Sequence, residues 1–502
     1  MAASTDDLVA EIAKLTELLA ASLKQNALLQ KKVDFLMRQK FGRKSEKLSR
    51  DQLELLLAGM NAEDQEPEDE PPSPPKPRGG KPRKRKPRLP EDLPTETITI
   101  DPDEVTQDPA GYVCIGEEVL EQLDVIPPQY KCVRTVRRKF KKKHVRNHAP
   151  IIAPAPKRPV DSGYASPSLL ADIVVKKYAD HLPLYRQHQI LMSRHGIYLP
   201  RQTMSDWVGI VAERWLAGIY EEIRENLRES DYLQIDETPV RYLREGGGGC
   251  GQGYLWVYHR PGGEVLYEWH TGRGAVCLEK TLSGFTGDVQ CDGYSAYMSY
   301  AKNHEGIELL GCWAHARRKF REAEEEAPRI AGWFLQQIGQ LYDVEDRLRD
   351  ANASAVLRDA LRSSDSSFVL SRIGTALQAC SGKHHPQSQM GKAIGYALRQ
   401  WDKLQRFCED GRLEIDNNLA ENAVRPTAIG KKNWLFFGHA EAGQRSAIIY
   451  TILANCRLLQ INPFDYLRDV LARLPYMTNH QARVMTPANW LAEQVRADEK
   501  AA

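Results

Sequence analysis

Apolar residues recur every three or four positions across residues 6–40, which is the spacing of a coiled-coil helix. One heptad register places Ile12 and Leu19 at a positions and leucines at most d positions. Asn26 also falls at an a position, where asparagine commonly fixes the register and the number of strands. The pattern predicts a coiled-coil oligomerisation segment over residues 1–60. An amphipathic helix packed on its own protein has the same pattern, and this alternative stays open.

The hydrophobic pattern then disappears. Residues 61–94 contain ten prolines and almost no apolar residues, so they predict a disordered linker that is first acidic and then basic. Short alternating runs return in residues 95–160, and residues 132–140 alternate apolar with basic side chains. Such alternation is typical of a strand with one exposed face. We therefore expect a small basic β module in this segment.

Residues 161–228 have helical periodicity. Leu184–His195 is amphipathic, Gly196 to Pro200 reads as a turn, and a second helix restarts at Arg201. This order predicts a helix-turn-helix DNA-binding domain, in which the start of the second helix meets base edges. Helix pairs with glycine turns also occur in proteins that do not bind DNA, so the pattern alone leaves both readings open. The expected base-contacting residues are Arg201, Gln202, Thr203 and Ser205.

From residue 229 the pattern becomes mixed α and β. Three strands, a helix, a strand, a short helix and a further strand are predicted in that order. This is the order of a ribonuclease H-like core, in which the first and fourth strands are neighbours. The strands are predicted at 232–236, 254–259, 264–270, 288–292 and 307–313. We expect a catalytic domain over 229–460 with a helical insertion at 321–408, followed by a helical tail over 461–502, giving a multidomain α+β fold.

Three acids occupy informative positions in this pattern. Asp236 and Asp292 each end an apolar run, and Glu421 lies at the start of a predicted helix. Two strand-end aspartates and a helical glutamate can hold two Mg²⁺ ions, with Mn²⁺ as a substitute. Asn418 capping the helix with Glu421 in a capping box is the competing reading of that segment. The residues expected to support the site or contact phosphate are His315, Arg317, Arg318, Asn418, Arg425, Lys431 and Lys432.

Charge is segregated along the 502 residues, although the net charge is only +2. Residues 76–88 carry eight basic residues and no acid, and residues 131–146 carry nine basic residues and no acid. Basic blocks of this kind favour a polyanionic partner such as double-stranded DNA. A solvated surface is the plainer reading of any single run. The candidate DNA contacts in these blocks are Arg83, Arg85, Arg137, Arg138, Lys141, Lys142 and Lys143.

Nine cysteines are scattered without CxxC pairs, as expected of reduced thiols. There is no signal-peptide pattern and no apolar run of membrane-spanning length, so we expect a soluble cytoplasmic protein without membrane partners. A zinc site could be assembled from distant cysteines and histidines, but the spacing does not favour zinc. The same holds for the CxxH of Cys312 and His315. The other potential zinc ligands are Cys114, Cys132, His144 and His148.

Five longer stretches carry a family resemblance. They are FGRKSEKL at 41–48, KYADHLPLYR at 177–186, CWAHARR at 312–318, GRLEIDNNLAE at 411–421 and GKKNWLF at 430–436. Together and in this order they closely resemble the transposases of the insertion sequence 66 family, which are encoded by bacterial mobile elements. One departure concerns the two CxxC pairs that the family usually carries between linker and helix-turn-helix. They are missing here, so we expect the basic module to be metal-free.

The resemblance implies a DDE transposase whose acidic triad maps to Asp236, Asp292 and Glu421. It implies binding to the terminal inverted repeats of the element, Mg²⁺-dependent cleavage and transfer of the freed 3′-hydroxyl to target DNA, in the bacterial nucleoid. A homodimer or larger assembly and small accessory proteins of the same element are the expected partners. Two alternatives remain: a catalytically silent DNA-binding protein derived from a transposase, and a structure-specific nuclease on the same core.

Overall fold

The computed structural model describes residue 97 and residues 129–141, 151–161, 163–247 and 249–501. The predicted coiled coil and linker therefore lie outside the described residues. The same applies to several candidate residues: Arg83, Arg85, Lys142, Lys143, Cys114, His144 and His148. Among the described residues, no helix has both the length and the apolar character that crossing a membrane requires.

The basic segment contains less strand than predicted. Residues 129–138 belong to a compact unit over 45–138, and no strand forms among them. The other unit, which includes residues 139–502, contains a short antiparallel pair. In this pair β1 (Lys139–Phe140) pairs with β2 (Ile151–Ile152). The strand predicted over 132–140 is thus wrong except for its last two residues. The apolar side chains of its described residues are exposed, Val133 at 73% and Val136 at 71%.

Helices follow where the helix-turn-helix was expected. They are α1 (Pro167–Tyr178), α2 (Leu184–His195), α3 (Arg201–Ile210) and α4 (Ala217–Arg228). Gly196 ends α2 with φ of 64°, a left-handed conformation that glycine adopts without strain. A π-helical turn, Val211–Leu216, joins α3 to α4. The helices pack on the sheet that follows, where the Tyr220 hydroxyl donates to the carbonyl of Tyr267 over 2.9 Å.

A central mixed sheet organises the rest of the chain. Its order is β5–β4–β3–β6–β7, with antiparallel pairing up to β3 and parallel pairing beyond it. The first and fourth predicted strands are neighbours, as expected. The architecture is mixed α+β and consistent with a ribonuclease H-like DDE core. The strands are β3 (Tyr232–Leu243), β4 (Cys250–His259), β5 (Val265–His270), β6 (Gly287–Gln290) and β7 (Ile307–Leu310).

Strand ends differ from prediction in two ways. β3 and β4 continue pairing to Leu243 and Cys250, because the glycine-rich turn between them closes a long hairpin. β6 stops at Gln290, two residues before Asp292. Gly293 turns the chain there with φ of 84°.

Helices α5 to α7 cover this sheet, and five further helices form the segment predicted as an insertion. The first group is α5 (Val276–Leu282), α6 (Ser295–Asn303) and α7 (Trp313–Glu322). The second is α8 (Pro328–Asp350), α9 (Ala355–Leu361), α10 (Ser367–Cys380), α11 (Gln389–Arg399) and α12 (Trp401–Gln405). Phe334, Ile338 and Leu341 of α8 are buried in one core with Trp313 and Phe320 of α7.

The chain then returns to the sheet through α13 (Asn418–Trp434) and β8 (Phe436–Phe437). β8 pairs in parallel with the far end of β3, so α13 is tied to the central strand at its C-terminal end. The remaining helices are α14 (Ala440–Leu458), α15 (Pro463–Arg473), α16 (Asn479–Arg483) and α17 (Pro487–Ala501). Asn455 and Thr451 of α14 hydrogen-bond the backbone of β5.

Candidate active site

Asp236 lies in the middle of β3, the central strand of the sheet, and is half-buried. Its pKa is raised from 3.8 to about 8. Burial is the largest cause, followed by the negative charges of Glu237 and Glu421 and, more weakly, of Asp292. Like charges held close together disfavour ionisation. The acids from three separate segments are therefore near enough to act on one another.

Asp292 follows β6 in a tight turn. Its Oδ1 accepts a hydrogen bond from the backbone N–H of Tyr294 over 2.8 Å. Its carbonyl accepts a hydrogen bond from the Tyr396 hydroxyl of α11 over 2.9 Å. Both the carboxylate and the backbone of this residue are therefore oriented by neighbours, which holds the remaining carboxylate oxygen in a defined place.

Glu421 lies near the start of α13, where the helix dipole favours a negative charge. Oε1 is 3.6 Å from Nδ1 of His315, and Oε2 is 3.9 Å from Arg318. Burial lowers the pKa of His315, so the imidazole is neutral near pH 7. Within the described part of the chain, Oε1 of Glu421 and Nδ1 of His315 lack a hydrogen-bond partner. A buried acceptor without a hydrogen-bond donor favours the binding of a further ligand.

The capping-box reading of Glu421 is wrong. Asn418 is the first residue of α13 rather than its cap. Its side-chain amide donates to Oδ2 of Asp416 over 2.8 Å, and its backbone N–H donates to Oδ1 of the same residue over 3.1 Å. Asp416 therefore satisfies the start of the helix, and the Glu421 carboxylate is not used for capping.

Two buried glutamines connect the segments that carry the three acids. Gln234 and Gln290 are paired across β3 and β6, each is fully buried, and each precedes an aspartate by two residues. Nε2 of Gln234 donates to Oε1 of Gln290 over 2.9 Å and to the carbonyl of Asp416 over 2.9 Å. Oε1 of Gln234 accepts from the backbone N–H of Ala420 over 3.3 Å. One amide thus joins β3, β6 and the start of α13.

The second glutamine extends this network. Nε2 of Gln290 donates to the carbonyl of Glu414 over 2.8 Å and to that of Gly311 over 3.2 Å. The Tyr232 hydroxyl donates to Oε1 of Gln290 over 2.6 Å. Residues two apart on a strand share a face, so Gln234 fixes the face of β3 from which Asp236 projects. Gln290 fixes the end of β6, from which the turn of Asp292 starts. These glutamines were not predicted as site residues. The repeated pattern Gln-x-Asp, at 234–236 and 290–292, is the sequence feature that could have indicated them.

The acids adjoining the triad are occupied by other partners. Glu237 accepts hydrogen bonds from Arg273 and from the Tyr297 hydroxyl. Glu414 accepts from Arg358 over 2.9 Å. The Tyr342 hydroxyl donates to Asp416 over 2.7 Å. These contacts satisfy the neighbours that compete with Asp236 and Glu421 for the role of metal ligand.

A cleft of about 530 Å³ opens beside Asp236 and Glu421. Its rim carries exposed Arg425, a suitable contact for a phosphate group. Carboxylate oxygens in this arrangement match the preference of Mg²⁺ and Mn²⁺ for hard ligands. The raised pKa of Asp236 also fits a divalent cation, whose charge relieves the repulsion between carboxylates. The lining residues are Asp236, Asn418, Glu421, Asn422, Val424, Arg425 and Ala428.

The other candidate supporting residues differ in their surroundings. Nζ of Lys431 donates to Oγ1 of Thr238 and to the carbonyl of Pro239 at 3.1 and 3.2 Å, so it ties α13 to β3. Arg317 lies over the ring of Tyr342 at 5.9 Å. Lys432 is exposed on α13. Arg317 and Lys432 are both exposed, so both are accessible to a phosphate backbone.

Cys312 is an additional neighbour of Glu421. Possible metal-ligand atoms of Cys312, His315 and Glu421 lie within 4.8 Å of one another. Burial raises the pKa of the Cys312 thiol to about 12, which opposes the thiolate that zinc binding needs. The CxxH had no visible third partner in the sequence, because Glu421 lies about a hundred residues further along the chain.

The predicted DNA-contacting residues lie on the surface. Arg201, Gln202 and Ser205 are exposed at the start of α3, and Thr203 is half-buried. Nε2 of Gln202 donates to Asp206 over 2.8 Å. The residues of the basic segment that the structure describes, Arg137, Arg138 and Lys141, are exposed as well. Their role in DNA binding stays a prediction.

Comparison with known proteins gives two family matches and several relatives. The family described as "Transposase IS66 family" matches residues 162–445, and one described as "Transposase C of IS166 homeodomain" matches residues 28–98. The protein y4qI of Sinorhizobium fredii, described as uncharacterized, is 37% identical over 388 residues, which cover 74% of this chain and 71% of that protein. The uncharacterized y4jD of the same organism is 32% identical, covering 81% of this chain and 82% of its own.

The raised pKa of Asp236 predicts how stability depends on pH without divalent metal. The folded pKa of about 8 exceeds the ordinary 3.8, so the folded protein binds the extra proton and loses stability as pH rises from about 4 to about 8. Asp236→Asn removes this loss. In EDTA we expect the variant to melt about 3 °C or more above the wild type at pH 8, where 1 kcal/mol corresponds to about 2–4 °C in domains of 150–250 residues.

At pH 4 the difference in melting temperature should nearly vanish, because the wild-type carboxyl is then neutral in the folded state and only partly ionised in the unfolded state. Mg²⁺ at pH 8 should narrow or reverse the difference by stabilising the wild type. If the difference in melting temperature between Asp236→Asn and the wild type stays the same from pH 4 to pH 8, the pKa of Asp236 is not raised in the folded protein.

The glutamine network predicts an unequal response to two similar substitutions. Gln290→Leu leaves the carbonyls of Gly311 and Glu414 without this donor, and we expect a loss of about 2 kcal/mol or more in the free energy of unfolding. Gln252→Leu is the matched control, because its exposed amide donates only to the Tyr254 hydroxyl among the described contacts. There we expect a change within about 0.5 kcal/mol. Urea denaturation measures both, and equal losses would contradict the network's role.

Proposed function

The chain belongs to the IS66 family of transposases, and we propose that it cuts DNA at the ends of an insertion element and joins the freed 3′ ends to target DNA. The family implies polynucleotidyl transferase activity and suggests DNA transposition. DDE transposases generally use a divalent metal. The assignment of the reaction to particular residues is our proposal.

The observation that supports it most directly is the electrostatic coupling of three acids from separate segments. Burial and the charge of Glu237 contribute most to the raised pKa of Asp236, and the charges of Glu421 and, more weakly, of Asp292 raise it further. These side chains are brought together by strand pairing and by a helix that returns after about 130 residues. Clusters of carboxylates with raised pKa are characteristic of functional sites. A divalent cation is the ligand that such a cluster favours.

Asp236, Asp292 and Glu421 would hold the metal through hard carboxylate oxygens. Two bound divalent ions supply a clamp for the attacking and leaving oxygens of an in-line phosphodiester displacement. The protein's own contribution is to fix the carboxylates before DNA arrives. Tyr294 orients the carboxylate of Asp292, and the glutamine network fixes the strands on which the aspartates lie. The attacking oxygen comes from water or from a DNA 3′-hydroxyl, so no side-chain nucleophile is assigned.

Cations beside the cleft are suited to the DNA backbone. Arg425 and Lys432 are both exposed on α13 and are seven residues apart, a separation of about 10 Å along a helix. Arg318 of α7 is 56% exposed beside Glu421. Together they offer positive charge to the phosphates that flank the scissile bond.

Recognition of the element's ends is assigned to the start of α3. Arg201, Gln202 and Ser205 are exposed there, in the position from which a helix-turn-helix reads the major groove. The helices that carry them belong to the same compact unit as the sheet. Assembly of protomers through residues 1–60 and the involvement of small accessory proteins complete the proposal.

The metal assignment predicts a selective loss of activity. Asp292→Asn should lower Mg²⁺-dependent cleavage of an end-bearing duplex by about 100-fold or more, the scale on which removal of one electrostatic stabiliser acts. Binding to the end sequence should persist, because α3 is untouched. Asp288→Asn is the matched control on β6, the strand that leads into the turn of Asp292, since the Asp288 carboxylate pairs with Arg406 at 3.0 Å. Gel-shift and cleavage assays on both variants measure this, and full cleavage by Asp292→Asn would refute the assignment.

A strand-transfer assay separates the proposed reaction from simpler ones. With a pre-cleaved end carrying a 3′-hydroxyl and a circular target, a transposase yields covalently joined products. Cleavage without any joining would indicate a structure-specific nuclease. Binding of ends without cleavage in Mg²⁺ or Mn²⁺ would indicate a silent DNA-binding protein.

A further inference from the structure

The helical insertion contacts the backbone or neighbours of two of the three acids. It consists of α8 to α12, which lie in sequence between the last strand of the parallel half of the sheet and the helix of Glu421. It supplies two tyrosines, Tyr342 from α8 and Tyr396 from α11. Both hydroxyls are directed at the segments that carry acids rather than at the insertion itself.

Tyr396 acts on the turn of Asp292. Its hydroxyl donates a hydrogen bond to the backbone carbonyl of Asp292 over 2.9 Å. The next residue, Gly293, has φ of 84°, and a Cβ there would be 2.9 Å from the side chain of Gln400. Gln400, which is buried, joins α11 to α12. The end of the insertion therefore packs against the turn in which Asp292 lies.

Tyr342 acts on the start of the Glu421 helix. Its hydroxyl donates to Oδ2 of Asp416 over 2.7 Å. Asp416 in turn accepts from the backbone and side chain of Asn418, the first residue of α13. The chain of hydrogen bonds Tyr342–Asp416–Asn418 thus ends one helical turn from Glu421. It fixes where the helix begins and so where the glutamate projects.

The insertion is rigid enough to transmit these restraints. Glu345 and Arg362 form a bidentate ion pair with both oxygen–nitrogen distances at 2.7 Å and with both side chains fully buried. Arg362 also donates to the carbonyl of Phe407 over 2.7 Å. This links α8 to the segment that leads into α13. A second anchor joins α12 of the insertion to α7, where Nε1 of Trp313 donates to the carbonyl of Leu404 over 2.8 Å.

We propose that the helical insertion is a positioning element for the metal site, in which the hydroxyls of Tyr396 and Tyr342 set the geometry of Asp292 and Glu421. The proposal rests on the metal role assigned above to these acids. Neither tyrosine is a metal ligand or a catalytic residue. Each orients a ligand through the backbone or through another side chain. Partners of this kind outside the ligand set typically change metal affinity by about 10–100-fold when removed.

The test uses Tyr396→Phe and Tyr342→Phe in the full-length chain. Each substitution removes one hydroxyl and keeps the ring. We expect the dissociation constant for Mn²⁺ alone, measured by electron paramagnetic resonance, to rise about 10-fold in either variant. The Mg²⁺ concentration that gives half-maximal cleavage should rise in parallel. Cleavage at saturating metal should recover most of the wild-type rate, because the ligands themselves remain.

Tyr466→Phe is the matched control. Its buried hydroxyl donates to the carbonyl of Met485 over 2.6 Å, a bond of the same kind as that of Tyr396, but in the C-terminal helices. It should lower the melting temperature without changing Mn²⁺ affinity. If Tyr396→Phe and Tyr342→Phe also lower only the melting temperature, the two hydroxyls are merely structural and the proposal is overturned.

Asp292→Asn separates failure of this inference from failure of the proposed function. If the wild type binds Mn²⁺ and Asp292→Asn abolishes that binding, the metal site is present and the tyrosine variants decide the inference. If Asp292→Asn binds Mn²⁺ as the wild type does, the acids are not the metal site. Both the proposed function and the positioning role then fail together.

Discussion

The hydrogen bond between the side-chain amides of Gln234 and Gln290 is the interaction on which the candidate site depends most. It lies between two adjacent parallel strands, fully buried, where an unpaired amide is costly. The two strands therefore pair stably only in the register that places the amide donor of Gln234 opposite the amide acceptor of Gln290. That register brings the end of β6, from which the turn of Asp292 starts, beside the strand of Asp236. Contacts to Asp416 and Ala420 bring the Glu421 helix to the same place. A polar network inside the sheet thus specifies geometry that apolar packing alone would leave loose.

The constraint has an electrostatic consequence. Bringing Glu421 and Asp292 close to half-buried Asp236 raises the pKa of that carboxyl, so the metal-free protein holds the acids in an unfavourable arrangement. The neighbouring acids Glu237, Glu414 and Asp416 accept hydrogen bonds from Arg273, Arg358 and Tyr342 respectively, although burial still raises the pKa of Glu237 and of Asp416. In contrast, Oε1 of Glu421 has no hydrogen-bond partner among the described residues, which favours a further ligand such as a divalent cation. We propose that the insertion helps to hold the acids in this arrangement.

Much of the fold could be predicted because it depends on local pattern. The strand order follows from periodicity and turn residues, and the structure confirms that the first and fourth predicted strands are neighbours, as it confirms helix α2 at Leu184–His195. The strand predicted over 132–140 fails because alternation gives a strand only where a partner and a core exist. The proximity of Glu421 to Asp236 could not be predicted from spacing, since it depends on tertiary contacts of the insertion. Gln234 and Gln290 were missed because a polar residue in a strand usually faces solvent.

We propose that Asp236, Asp292 and Glu421 form one divalent-metal site. Its most direct test is an anomalous-difference map from crystals of the full-length protein grown with Mn²⁺. We expect anomalous-difference peaks within about 2.1–2.3 Å of carboxylate oxygens from these three residues. Manganese bound instead at Glu237, Glu414 or Asp416, or held by Cys312 and His315 away from Asp236, would contradict it.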